Sequence, residues 1–191
     1  KLIIGLGNPG RAYANTRHNI GAKVVQALAK NSRVLLKRSF LCNCQEAKAI
    51  IEGKETILAV PLTYMNLSGK AVSSLIKRHK IKPHDLLVVL DDLDLEFGRL
   101  KIRASGSSAG HRGMASVIEV LGTQDFNRLR LGIGRPRVLE DAAEFVLSKF
   151  NYAELKGLDI FIERALDCCR DWVTEGSVKC MEKYNKRECI E

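Results

Sequence analysis

The sequence predicts an α/β sandwich: one central, mixed, largely parallel twisted sheet flanked by helices. Two observations carry that expectation. Short β-rich runs alternate with amphipathic helical stretches along the chain. One run, Leu86–Leu90, is apolar at every position, the pattern of a strand covered on both faces. No internal repeat, linker or low-complexity tract interrupts the 191 residues, so residues 1–191 are expected to form a single domain.

The elements follow in order. Leu2–Leu6 reads as a strand that ends in Gly7-Asn8-Pro9-Gly10, a cluster only a loop accommodates. Asn19–Lys30 reads as a helix, with Val24, Val25, Leu28 and Ala29 on one face. Ala47–Ile51 and Thr56–Leu62 read as strands, the second leaving its sheet at Pro61. A helix starts at Ser68, buries Ala71, Val72, Leu75 and Ile76, and stops before Pro83. After the strand Leu86–Leu90, the segments Arg99–Arg103 and Arg128–Leu131 alternate basic with apolar residues. Both are expected to be strands with one wet, positive face. Gly113–Leu121 is a short helix between them, and the chain is helical from about Asn151, with Leu155, Leu158, Ile162, Leu166 and Cys169 inward.

With 46% hydrophobic residues and both charge signs mixed, the chain can bury a full core without disulfide or metal staples, and disordered or collagen-like classes are excluded. No apolar run approaches the ~20 residues of a membrane span, and the first residues read as a strand, not a targeting segment. Cys42, Cys44, Cys168, Cys169, Cys180 and Cys189 lack metal-site spacing and are expected to be free thiols packed as small hydrophobes in a reducing, cytoplasmic setting. The formal net charge is +9. Residues 1–45 hold eight basic and no acidic side chains, and residues 98–137 eight basic against two acidic, so two blocks carry the excess. Folded together, they would form one patch facing a polyanion.

The string Gly5-x-Gly7-x-x-Gly10 formally fits a dinucleotide fingerprint. It fails because the next helix begins only near residue 19 and no acidic residue precedes Glu46. What remains are loop residues suited to hydrolysis: Asn8, His18, Asn66, Asp91 and His111. Asn8, Asn66 and Asp91 each follow a strand, and the carboxyl ends of strands are where open α/β sheets build sites. A His with a carboxylate partner is the minimal general base for water, and Asn amides orient a substrate or an oxyanion. No nucleophile elbow is present, so direct attack by water is favoured over a covalent intermediate. Asp91, Asp92 and Asp94 leave two further readings open, turn chemistry at a strand end or a metal-dependent phosphoesterase.

Seven strings, GLGNPG (5–10), TRHNIG (16–21), PLTYMNLSGKAV (61–72), DDLDLEFGRLKIR (91–103), GHRGMASV (110–117), NRLRLGIGRP (127–136) and MEKYN (181–185), resemble in order and spacing the bacterial-type peptidyl-tRNA hydrolase family. The resemblance implies a metal-independent, cofactor-free and monomeric esterase that cleaves a peptide from the 3′ ribose of tRNA and frees the tRNA for reuse in translation. It implies His18 as the base that activates water and Asp91 as its support. Asn8 and Asn66 would contact the peptide or position the ester, Met65 would line the channel, Tyr13 would pack near the scissile ester, and His111 would sit at the rim. Arg103 and Arg130 match the positions implied for tRNA phosphates.

The residues themselves fit. Arg99, Lys101 and Arg103 would share one strand face at about 6.6 Å intervals, a row that can track a phosphate backbone while reading no sequence. One position departs from the family pattern: Gly-His-Asn-Gly appears as Gly110-His111-Arg112-Gly113. Arg112 can only donate, to a carbonyl or a phosphate. A non-catalytic RNA-binding relative is the competing reading, and it is disfavoured because His18, Asp91, Asn8 and Asn66 are all in place.

Overall fold

Leu2–Gly5 (β1) is buried at every position because it lies in mid-sheet. It pairs in parallel with Lys54–Pro61 (β4) on one side and Leu86–Asp92 (β5) on the other. β5 pairs in parallel with Asn127–Gly132 (β7). The margins are antiparallel: Lys37–Ser39 (β2) on Cys44–Ile51 (β3), β3 on β4, and Leu100–Arg103 (β6) on β7. The seven strands run in the order β2-β3-β4-β1-β5-β7-β6. In this computed structural model residues 1–136 and 141–186 are described, so Cys189 lies outside the described residues.

Alternation along the strands supplies two cores. Ile3, Leu87 and Val89 pack with Val24, Val25 and Leu28 of Ile20–Asn31 (α1) and with Phe161, Leu166 and Trp172 of Tyr152–Glu175 (α5). Leu2, Ile4, Leu86, Val88 and Leu90 face Val72 and Leu75 of Ser68–His79 (α2) and Met114 and Val117 of Arg112–Leu121 (α3). Ala142–Leu147 (α4) and Ser177–Tyr184 (α6) complete the helices. Among the described residues no helix is long and apolar enough to cross a membrane. Cys42, Cys44, Cys168, Cys169 and Cys180 are free and buried, and burial pushes the Cys44 and Cys169 thiols up to about 12.

Five features differ from the sequence expectation, the first being that Leu155, expected inward on the C-terminal helix, is exposed. β2 is short, polar and without apolar alternation, and it is a strand only because β3 offers it an edge. α4 was expected as no element. The C-terminal helix is two helices, split at Gly176, whose φ of +83° a non-glycine residue rarely adopts. The wet face expected for residues 128–131 is absent: Arg128 is buried under the loop 105–110, and Arg130 is largely covered.

The contact that matters most for the site is between α1 and the sheet. A Cβ on Gly5 would run into the Gly21 carbonyl oxygen, and one on Gly21 into the Val89 carbonyl oxygen. That approach lets Ala22 N, at the start of α1, donate to Leu6 O at 3.0 Å, while Leu6 N donates to Val89 O at 2.9 Å. Gly5 and Gly7 of the rejected dinucleotide string thus serve helix-to-strand packing, whereas Gly10 packs against nothing among the described residues and takes a positive φ of +101°. Gly21→Ala is expected to destabilise the fold by about 1–3 kcal/mol, the usual cost of overpacking, read as a lower urea midpoint at unchanged slope.

Candidate active site

A cleft of about 590 Å³ opens beyond the carboxyl ends of the parallel strands. His18 stands on a single 3-10 turn, Arg17–Asn19, that leads into α1, and Asp91 is the penultimate residue of β5. His18 Nδ1 lies 2.9 Å from Asp91 Oδ1 and 3.0 Å from Oδ2. A second imidazole reaches the same carboxylate, with His111 Nε2 3.0 Å from Asp91 Oδ1.

The tautomers follow from the partners. Met114 N can only donate, and it meets His111 Nδ1 at 3.1 Å, so that nitrogen is an acceptor and His111 Nε2 carries the proton it gives to Asp91. His111 caps α3 in this way and has no lone pair left for catalysis. His18 Nδ1–H also donates to Asp91, which leaves His18 Nε2 unprotonated in the cleft it lines. Burial alone would push the Asp91 carboxyl up, but electrostatic attraction and hydrogen bonding by the His111 and His18 N–H groups outweigh burial and hold it well below the usual carboxylate range.

Asn8 Oδ1 accepts from Met65 N at 2.8 Å, which leaves the Asn8 Nδ2 protons for the cleft that Asn8 lines. Asn8 is held by Asn19, whose Oδ1 accepts from Asn8 N at 2.8 Å and whose Nδ2 donates to Asn8 O at 2.9 Å. Met65 and Asn66, on the turn after β4, also line the cleft, as does Arg112 at the first turn of α3. Two expectations are corrected here. His111 is a buried partner of Asp91, not a rim residue, because the α3 cap draws it inward. Tyr13 is not among the residues that line the cleft; its carbonyl accepts from Thr16 N and Oγ1 and closes a turn.

Asp91, Asp92 and Asp94 do not converge. Asp92 pairs with Arg130, Asp92 Oδ1 accepts from Asp94 N at 2.9 Å, and Asp94 pairs with Arg135 at 2.7 Å, which is turn and ion-pair chemistry. His18, Asp91 and His111 bring ligand-type atoms within 4.8 Å. A metal on His111 Nε2 would need that nitrogen's lone pair and a proton on Nδ1, where Met114 N already donates, so this donor set fits a hydrogen-bond relay better than a cation.

Beside the cleft, a second cavity of about 280 Å³ is lined by Arg103, Arg128 and Arg130. Arg128 is held by the Gly106, Ser107, Gln124 and Phe126 carbonyls, with no carboxylate partner among the described residues, and burial and the Arg130 charge lower its pKa to about 10. Lys101 is half-buried, and Arg103 is exposed. Burial and the surrounding charges of Arg103, Arg130 and Arg99 push the Lys101 ammonium down, the mark of a local positive field. Arg99 lies just before β6 and is half-buried, so the exposed row is shorter than the alternation implied.

The peptidyl-tRNA hydrolase family model matches residues 2–191. The chain belongs to the peptidyl-tRNA hydrolase family. It is 45% identical to the peptidyl-tRNA hydrolase of Aquifex aeolicus over 195 aligned positions, covering 100% of this chain and 98% of that protein. It is 45% identical to the one from Desulforamulus reducens, covering 98% of this chain and 89% of that protein. The crystal structure of peptidyl-tRNA hydrolase from Acinetobacter baumannii superposes with a TM-score of 0.91 at 34% identity, covering 97% of this chain and 94% of that one.

Within this member of the family, three contributors escaped the sequence reading. Asn19 lies inside a quoted string but has no chemistry of its own. Arg128 looks like any strand arginine until the 105–110 loop covers it. Ala142, Ala143, Val146 and Leu147 of α4 wall the cleft, with no sequence signal beyond a short apolar run after Asp141.

Because Asp91 is held below its ordinary value of 3.8, its stabilisation is fully present above that value and is lost as pH falls through the lower, folded-state value. The stability difference between the wild type and Asp91→Asn is therefore expected to shrink as pH falls below 3.8, measured by urea unfolding across acid pH.

Proposed function

We propose that this protein hydrolyses the ester between a peptide, or an N-blocked aminoacyl group, and the 3′ ribose of tRNA, as its peptidyl-tRNA hydrolase relatives are named for doing. The carrying observation is that Asp91 accepts a buried hydrogen bond from His18 Nδ1–H, leaving Nε2 as the basic atom in a cleft lined by two Asn amides. In this reading His18 Nε2 takes a proton from water as the water oxygen attacks the ester carbonyl carbon. The oxyanion that forms is met by the Asn8 Nδ2 protons, with Asn66 positioning the ester and Met65 lining the peptide channel. Collapse breaks the bond to the ribose oxygen, which takes the proton back from His18. The products are free tRNA and a peptide carboxylic acid, which then loses its proton to solvent. Asp91 stays ionised throughout and supports the transient imidazolium. His111 holds Asp91 without exchanging protons with the substrate.

The acceptor end of tRNA lies in this reading along Lys101 and Arg103, with Arg99 and Arg130 flanking. The guanidinium of Arg103, which has no ion-pair partner among the described residues, does more than Arg130, whose charge Asp92 already meets. Arg112 donates to the 3′ strand or to a peptide carbonyl at the cleft mouth. In this reading residues 1–191 act as one domain, and the free, buried thiols of the described cysteines fit a reducing, cytoplasmic setting.

His18→Ala is expected to lower kcat on N-acetyl-aminoacyl-tRNA by about 10²–10⁴-fold, and turnover close to wild type would sink the mechanism. Asp91→Asn is expected to fall comparably, since His111 can only donate to residue 91 and an amide there would turn its oxygen to His111 and its NH₂ to His18, protonating the wrong ring nitrogen. Arg103→Ala is expected to raise KM for tRNA substrates and to flatten the salt dependence by roughly one phosphate contact, with Arg130→Ala changing the salt slope less. Equal salt slopes for the two variants would assign the pairing of Arg130 no role.

A further inference from the structure

β6 is the outermost strand of the sheet, and the basic side chains that face tRNA in the reading above sit on it. An edge strand has one row of backbone groups without a ladder partner. Here Ile102, fully buried, lies opposite Leu129 of β7, while its own N–H and C=O are taken by a side chain from the far end of the chain. Ile102 N donates to Asn185 Oδ1 at 2.8 Å, and Asn185 Nδ2 donates to Ile102 O at 3.1 Å. The carboxamide thus acts as a one-residue surrogate for a neighbouring strand. It grips the residue between Lys101 and Arg103, which face Arg130 and Arg128 across the ladder.

Asn185 is itself firmly placed. It follows α6 directly, and its N–H donates to Met181 O at 3.2 Å. One residue earlier, the Tyr184 hydroxyl donates to Asp171 Oδ2 at 2.7 Å, and Lys183 Nζ reaches the same oxygen at 2.7 Å, tying α6 to α5. Cys180 is buried against Cys168 on the same seam. The bend at Gly176 turns α6 back along α5 so that its end meets β6, which explains why the C-terminal helix is split.

We propose that Asn185 is a positioning residue for tRNA: its paired hydrogen bonds to Ile102 hold β6 so that Lys101 and Arg103 face the phosphate backbone together. The inference rests on the reading that β6 takes the tRNA. A merely structural role would lower stability and leave the kinetic constants of the folded enzyme alone. A positioning role shows as a split between them.

Asn185→Ala is expected to raise KM for N-acetyl-aminoacyl-tRNA about 3- to 10-fold, the scale of two lost hydrogen bonds, with kcat and the hydrolysis of N-acetyl-aminoacyl-adenosine unchanged. In a background lacking both basic side chains, Lys101→Ala with Arg103→Ala, the same substitution is expected to add little, because the contacts that Asn185 positions are already gone. If Arg103→Ala raises KM and Asn185→Ala does not, or if Asn185→Ala raises KM as much in that background as alone, the positioning role is overturned while the tRNA-strand reading stands. If Arg103→Ala leaves KM unchanged, the tRNA-strand reading fails and the positioning role with it. Should Asn185→Ala fail to fold, Asn185→Gln, which keeps both amide groups but displaces them by one methylene, is read by the same criteria.

Discussion

The architecture depends on a contact that has no side chain in it. Gly5 on β1 and Gly21 on α1 meet backbone to backbone, and Gly21 rests on the Val89 carbonyl of β5. Only at that separation does the first turn of α1 bond the exit of β1. His18 is three residues before Gly21, and Asp91 is two residues after Val89. The same approach that seats the helix therefore sets the His18–Asp91 distance, and a methyl group at either glycine would act on both. Asn8, one residue beyond Gly7, is drawn into the same corner through Asn19.

Asp91 shows how two copies of one residue type take different roles. Its burial opposes ionisation, and two imidazole N–H groups more than offset that. His111 is locked by Met114 N into a form with no free lone pair, whereas His18 has a partner on one ring nitrogen and an open cleft at the other. The difference is made by a helix cap. A buried carboxylate with two donors is also a rigid one, which suits a group whose task is to hold an orientation.

The basic character of the chain is distributed less evenly in space than in sequence. Arg17, from the acid-free first stretch, pairs with Glu154 at 2.7 Å and stacks near Phe145, so its charge is directed into the α5 capping box and away from the cleft. Arg78 pairs with Glu46, Arg130 with Asp92, and Arg128 is absorbed by backbone carbonyls. The Lys101 side chain stands out because the like charges of Arg103, Arg130 and Arg99 around it outweigh the opposing Asp92 carboxylate.

Most of the fold was legible one-dimensionally, since its signals are local. A strand apolar on both faces, an amphipathic stripe and a glycine-rich exit are each written within a few residues, and the strings around His18, Asp91, Asn8 and Asn66 sufficed to point to hydrolysis. β2, α4 and the break at Gly176 were not, because each depends on a partner distant in the chain. The same holds for the site. Residue types and their order determined that a base, a carboxylate and amides were available on loops after strands. Tertiary structure alone decided that His111 joins Asp91 through a helix cap, that Arg128 is buried, that Tyr13 is not in the cleft lining, and that Asn185 grips Ile102. Hydrogen-bond partners and burial are properties of groups brought together by folding, and no spacing along the chain encodes them.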